Sequence, residues 1–167
     1  LKLLAHVPAA QVLAHRVLWS ALLLAVVVVV LRRLPGIRAA ATGRVLLMLT
    51  ASAVLIAVNW LVYIWAVTHE HVLEASLGYF INPLLNVALG VAVLRERIRP
   101  VQGAAVALAA AGVLAMAVGG GALWISATLA LSFGTYGLIR KVVAIDPLGG
   151  LFVETLLLAP FAAGALL

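Results

Sequence analysis

The hydrophobic positions of this chain run in long blocks without formal charge, separated by short polar clusters. No Asp, Glu, Lys or Arg occurs within 45–68, 75–94 or 101–139. A helix needs about 20 apolar residues to cross the hydrocarbon core of a bilayer. The blocks lack the period-two alternation of a membrane β-barrel. The pattern therefore predicts an all-α protein, a polytopic transmembrane helix bundle.

The breaks between the blocks set the number of spans. They are polar, rich in glycine or marked by proline, which is typical of turns between helices. Leu1 is not a methionine, and the sequence stops at Leu167 inside an apolar block, so we expect a piece of a longer protein with material missing at both ends. We predict six spans: 8–31, 45–68, 73–94, 101–118, 122–139 and 148–167.

The basic residues indicate how these spans are oriented. The chain is 66% hydrophobic with a formal net charge of +6, and nine of its eleven Lys and Arg lie in three alternate connections. Loops rich in Lys and Arg stay in the cytoplasm, so the excess charge predicts membrane topology, and we expect no nucleic-acid partner. The basic residues of these connections are Arg32, Arg33, Arg38, Arg44, Arg95, Arg97, Arg99, Arg140 and Lys141.

The other two connections complete this topology. The loops at 69–71 and 119–121 contain no Lys or Arg, so we expect them outside. The chain then enters the membrane from the outer face at Pro8. Residues 1–4 would end a missing first helix whose N-terminus is cytoplasmic.

Two charged residues fall inside predicted spans, where an ionised side chain is costly. Arg16 lies about two turns into the first span and Glu154 at a similar depth in the sixth. Arg16 either snorkels to the interface or belongs to a site, whereas the shorter Glu154 favours a paired or cavity-facing position. If the helix starts are aligned as an inverted repeat, 12–19 falls on 150–157 and Arg16 on Glu154. We then expect the two at opposite gates of a central path, without a direct salt bridge.

Amides and a phenol inside the second and third spans are further candidates for a substrate path. Asn82 and Asn86 are four residues apart on one helix face, beside Tyr79, and Pro83 should bend the helix there. Asn59 lies in the second span. These residues would line a hydrated cavity or, alternatively, form hydrogen bonds between helices. The substrate-path candidates are Arg16, Asn59, Tyr79, Asn82, Pro83, Asn86 and Glu154.

The sequence offers no site for chemistry or for a metal. His69 and His71 flank Glu70, but no further ligand at suitable spacing would close a tetrahedral site. The chain has no Cys, which excludes thiolate ligands and a Cys nucleophile. No nucleophile, base and acid occur at catalytic spacing. We therefore predict no catalytic residue, no metal, no cofactor and no enzymatic activity.

Several motifs resemble a known family of membrane proteins. PLLNVALGVAVLRERI at 83–98, followed by Gln102-Gly103 and Gly112-Val113, is similar to the EamA signature of the drug/metabolite transporter superfamily. HRVLWS at 15–20, Asn59-Trp60 and LEASLGYFINPL at 73–84 resemble the RarD subgroup more narrowly. One departure is Arg95, where the wider family usually has Gly, and we expect a stiffer turn there.

The resemblance implies a permease of the bacterial inner membrane, built from ten helices in two inverted repeats. Residues 1–118 would be most of the first repeat and 119–167 the start of the second. The implied partners are a small metabolite or drug and the lipid bilayer, and a homodimer stays open. The alternatives are a non-transporting scaffold that binds a partner within the bilayer and, less in keeping with the residues, a membrane-embedded enzyme.

Overall fold

The fold is a bundle of α-helices without strands over the described part of the chain. A computed structural model describes residues 7–95, 97, 99–118 and 122–166, with the backbone alone for 116–118. The helices are α1 (Ala9–Val30), α2 (Leu34–Ala40), α3 (Gly43–Thr68), α4 (Val72–Ala92), α5 (Pro100–Val118), α6 (Leu123–Val142) and α7 (Pro147–Gly164). Glu96, the loop at 119–121 and the expected helix end at 1–4 lie outside these residues.

The prediction of an all-α membrane bundle is confirmed. All six predicted spans coincide with long helices. Within the described residues, four of these helices, α1, α3, α4 and α7, are long and apolar enough to cross a membrane by length and composition. The side chains of α5 are described over Pro100–Ala115, and this part of the helix is apolar. Helix α6 is less apolar because hydroxyl side chains occur along it and Arg140 and Lys141 occupy its last turn.

Helix α2 was not predicted, since the sequence analysis treated these residues only as a basic connection between the first two spans. Pro35 occupies the first turn of α2, a position where a fixed backbone angle favours helix. Ile37 is its one buried residue and packs in an apolar cluster with Val28 and Val143. A helix of 7 residues is too short to show a clear apolar period, so tertiary contact decides its structure.

Helix α3 lies at the centre of the bundle, in contact with α1, α4, α6 and α7. Helix α6 contacts α3 and α4, α7 contacts α1 and α3, and α5 packs against α4. The cluster around Ile37 joins α1, α2, α3 and the start of α7 at one end, which we call the basic end. At the opposite end, Ala66 of α3 packs with Ala75 and Ile125. Spans that follow one another in the chain are therefore antiparallel, whereas the packed pairs α4 with α6 and α3 with α7 are parallel.

Helices α4 and α6 approach closely because glycine occupies the contact. A Cβ on Gly78 would lie 2.9 Å from Leu129 Cβ and 3.1 Å from the Ser126 carbonyl oxygen. The Ser126 hydroxyl donates a hydrogen bond of 2.6 Å to the Glu74 carbonyl at the same contact. The absence of a side chain at Gly78 therefore sets the distance between these helices.

Three connections between helices contain residues in the left-handed backbone region. Arg32 has φ of 52°, Glu70 of 68° and Arg95 of 55°. This conformation costs an L-residue other than glycine roughly 1–2 kcal/mol. The cost explains why glycine suits the position of Arg95, the departure noted in the sequence.

We predict that Arg95→Gly raises the free energy of unfolding by about 0.5–1 kcal/mol. The relief of left-handed strain outweighs the extra backbone entropy that glycine brings to the unfolded chain. Thermal unfolding in detergent measures the change. Arg33→Gly is the control, because it removes an equal charge where the backbone is right-handed, with φ of −84°. Equal effects of the two substitutions would contradict the prediction.

Candidate functional site

The candidate site is a cavity of about 220 Å³ among α1, α3, α6 and α7, here called the central cavity. Its α1 wall is one helix face, because the contributing residues recur every three or four positions. Arg16 and Glu154 are its two charged lining residues. The full lining is Leu13, Arg16, Val17, Ser20, Leu24, Ile56, Ala57, Trp60, Tyr136, Leu151, Glu154, Thr155 and Leu158.

Arg16 is held against an aromatic ring. Its Cζ lies 3.4 Å from the centroid of the Trp60 ring, so the guanidinium stacks on the indole face. A cation over an aromatic face is attracted by about 0.5–2 kcal/mol, depending on how far it is desolvated. The stacking fixes the guanidinium beside the cavity although the Arg16 side chain remains exposed.

Glu154 is almost completely buried and is held by two other helices. Only 2% of the residue is exposed. The Ser52 hydroxyl of α3 donates a hydrogen bond of 2.5 Å to Oε1 of Glu154. Arg140 Nη1 of α6 lies 3.6 Å from the same oxygen. The carboxylate thus joins α3, α6 and α7 at one point.

Arg140 is itself positioned by the start of α7. Its Nη2 donates a hydrogen bond of 3.0 Å to the Pro147 carbonyl, and its guanidinium lies over Gly150. A Cβ on Gly150 would overlap Arg140 Nη1. Glycine at this position therefore leaves the space in which the guanidinium reaches Glu154.

The structure brings Arg16 and Glu154 to one cavity. Within the described part of the chain, the ion pair of Glu154 is with Arg140 and not with Arg16. The two residues come from antiparallel helices, since Ala14 of α1 packs near Ala162 at the far end of α7. Their assignment to opposite gates stays a prediction.

Tyr79 belongs to a chain of aromatic rings that connects two lining residues of the central cavity. Trp60 contacts Tyr63 at 5.7 Å between centroids, and Tyr63 contacts Tyr79 at 5.6 Å. Tyr79 contacts Phe133 at 6.4 Å, which contacts Tyr136 at 5.9 Å. Trp60 and Tyr136 line the cavity, whereas Tyr79 lies behind them.

Asn59 and Asn82 are both buried. Nδ2 of Asn59 donates to the Leu129 carbonyl at 2.9 Å and to the Ser132 hydroxyl at 3.0 Å, so this amide links α3 to α6. Asn82 is 5% exposed. Its Oδ1 and Nδ2 have no hydrogen-bond partner among the described residues. Neither amide lines the central cavity.

Asn86 and Pro83 lie elsewhere on α4. Asn86 lines a separate cavity of about 180 Å³ at the basic end, together with Gly137 and Lys141. Pro83 is exposed, and α4 continues through it to Ala92. The structure thus does not bring Asn82 and Asn86 to one cavity, and the role of these residues in a substrate path stays a prediction.

Sequence reasoning missed the partners of Glu154. Arg140 had been assigned to a basic connection, and Ser52 had not been singled out. The useful signal was the pair Gly149-Gly150 at the start of α7, because adjacent glycines often mark the close approach of another group.

The histidines near the α3–α4 connection have structural contacts. His69 and His71 both stack on Trp65, with centroids 4.6 and 5.5 Å away. Over the residues that the structure describes, no three His, Asp or Glu side chains form a group that could hold a metal.

Comparison with known proteins identifies the family of this chain. The profile of the EamA-like transporter family matches residues 1–118. This chain belongs to the EamA-like transporter family. The resemblance inferred from the motifs is confirmed, and the EamA chain is a multi-pass membrane protein.

Curated relatives extend the match beyond the family profile. An uncharacterized transporter of Pseudomonas aeruginosa is 49% identical over 96% of the EamA chain and 55% of its own length. Protein RarD of Escherichia coli is 47% identical over 97% of the chain and 55% of its own length. Chloramphenicol-sensitive protein RarD of Pseudomonas aeruginosa is 38% identical over 93% and 54%. The chain thus spans about half the length of these relatives, and no solved structure matches it.

Proposed function

We propose that the complete protein is a permease that moves a small metabolite or drug across the bacterial inner membrane by alternating access. The observation that carries this proposal is the composition of the central cavity. Its α1 and α3 walls come from the stretch that matches the family profile, and its α6 and α7 walls come from the residues after it. In secondary transporters, substrate sites lie between repeats.

The proposed architecture follows the same division. Residues 1–118 form most of a first repeat, and 119–167 begin a second repeat of inverted topology. The relatives, about twice as long as the chain, leave length for the remaining helices. In the proposed orientation the basic end faces the cytoplasm, because the connections rich in Arg lie there.

Filling the central cavity tests the proposal. Ala57→Trp in the complete protein should abolish transport, because an indole placed on Ala57 occupies the cavity that Ala57 lines. Proteoliposomes would be loaded with a bacterial metabolite extract and chloramphenicol, and each solute would be followed in time. Chloramphenicol is included because one relative is named for sensitivity to it.

Leu23→Trp is the matched control, because Leu23 is 64% exposed on α1. We expect transport by this variant at the level of the unsubstituted protein when equal amounts are reconstituted. Normal transport by Ala57→Trp would exclude the central cavity as the route. A complete protein that moved none of the solutes would favour the scaffold alternative.

A further inference from the structure

The charges around the central cavity do not cancel. Glu154 contributes one negative charge, which Arg140 faces at 3.6 Å. Arg16 adds a second positive charge to the lining. These three groups leave an excess of one positive charge beside a space walled mostly by apolar side chains. Coulomb attraction to this excess positive charge favours an anion in that space.

Arg16 carries the excess positive charge, and its N–H donors are available to a ligand. Stacking on Trp60 uses the face of the guanidinium, while all its N–H groups point outward in the plane of the group. Across the described residues, the Arg16 side chain forms no hydrogen bond or ion pair, and it contacts the Trp60 ring. A planar guanidinium with free in-plane donors fits a carboxylate or phosphate group in a bidentate pair.

Arg16 also lies on the face of α1 that lines the central cavity. Leu13, Ser20 and Leu24, one or two turns away, line the same cavity. A side chain on this stripe lies beside the cavity whose other walls include α3 and α7. The stacked contact with Trp60 of α3 agrees with that direction.

From this geometry we propose that the central cavity binds an oxyanion group, carboxylate or phosphate, carried by a small organic molecule, and that Arg16 is the residue that binds it. The Ser20 hydroxyl, one turn along α1, lies on the same wall. The apolar body of the ligand lies against Leu24, Ile56 and Leu151. This inference rests on the proposed function, since it gives the substrate class of the same cavity.

The size of the cavity limits the ligand. The cavity has a volume of about 220 Å³, below the roughly 300–1,000 Å³ typical of pockets for drug-sized ligands. A single-ring carboxylate suits a pocket of this size. Benzoate and its uncharged isostere benzamide are therefore suitable probes, because they differ chiefly in charge.

Binding is measured by calorimetric titration of the complete protein in detergent, without any transport step. We expect benzoate to bind at least tenfold more tightly than benzamide. Arg16→Gln should weaken benzoate at least tenfold and leave benzamide unchanged. Arg38→Gln, an exposed arginine on α2 outside the cavity, is the matched control and should change neither. Equal affinities for the two probes, or benzoate binding that survives Arg16→Gln, would overturn the proposal.

A lipid headgroup could supply the same oxyanion, and nanodiscs distinguish this source. If the ligand comes from water, benzoate binds equally in phosphatidylcholine and phosphatidylglycerol nanodiscs. If the site holds a lipid phosphate, phosphatidylglycerol abolishes benzoate binding, and native mass spectrometry finds less bound lipid in Arg16→Gln. The second result overturns a soluble substrate while keeping the anion site.

The binding experiment and the transport test can give opposite results, so the anion site and the permease can each be rejected separately. Arg16-dependent binding of benzoate without transport by the complete protein would keep the anion site and reject the permease. Transport blocked by Ala57→Trp but equal for neutral and anionic solutes would keep the permease and reject the anion site.

Discussion

Arg140→Met should destabilise the complete protein by about 3–5 kcal/mol, the typical result of removing one partner from a buried ion pair. Glu154 is 2% exposed and cannot recover its solvation in place. The Ser52 hydroxyl would be its remaining partner of those described. Methionine retains much of the length of the arginine stem, so the loss is mainly electrostatic. Thermal unfolding in mild detergent measures the change.

Two further variants separate charge from packing in this pair. Arg140→Met combined with Glu154→Gln should recover most of the lost stability, because no buried charge remains. Arg38→Met removes an equal charge from an exposed site at the basic end and should have little effect. If the double variant lost as much free energy of unfolding as the two single variants lose together, Arg140 and Glu154 would not be energetically coupled.

Gly78→Ala should cost about 1–3 kcal/mol through overpacking between α4 and α6. The new Cβ would lie 2.9 Å from Leu129 Cβ and 3.1 Å from the Ser126 carbonyl oxygen. Both neighbours are held by helix backbone and cannot rotate away, so the helices must separate. The hydrogen bond from Ser126 to the Glu74 carbonyl would weaken with them. The midpoint of thermal unfolding should fall.

Gly112→Ala in α5 is the matched control for this substitution. A Cβ there would meet nothing within 4 Å, so the same change should raise stability by about 0.4–1 kcal/mol through helix propensity and chain entropy. Opposite signs for the two variants are the expected result. Two gains would mean that α4 and α6 are not in close contact at Gly78.

The sequence was sufficient for the long helices, because a bilayer requires blocks of apolar residues that are visible without tertiary information. It was insufficient for α2, whose helix depends on Ile37 finding an apolar cluster contributed by distant residues. It also overstated the apolar character of α6, where hydroxyl residues such as Ser132 face a neighbouring amide instead of lipid.

The candidate site was predicted in part for the same physical reason. Charges within apolar blocks are conspicuous, so Arg16 and Glu154 could be selected, and the structure brings both to the central cavity. The partner of Glu154 could not be selected, because Arg140 lies in one of the basic connections and the sequence does not show which of their arginines forms an ion pair. Asn82 and Asn86 share a helix face, yet only contacts with other helices decide that Asn82 is buried and Asn86 lines a different cavity.

Helix α2 has a practical consequence for placing reporters in this protein. A connection between two spans is the usual position for an epitope or fluorophore, because loops tolerate insertion. Here an insertion after Gly36 would pull Ile37, which is 5% exposed, out of its cluster with Val143 and Phe152. The turn at Thr42, between α2 and α3, has no buried side chain. A reporter inserted there lengthens the connection while Ile37 keeps its place.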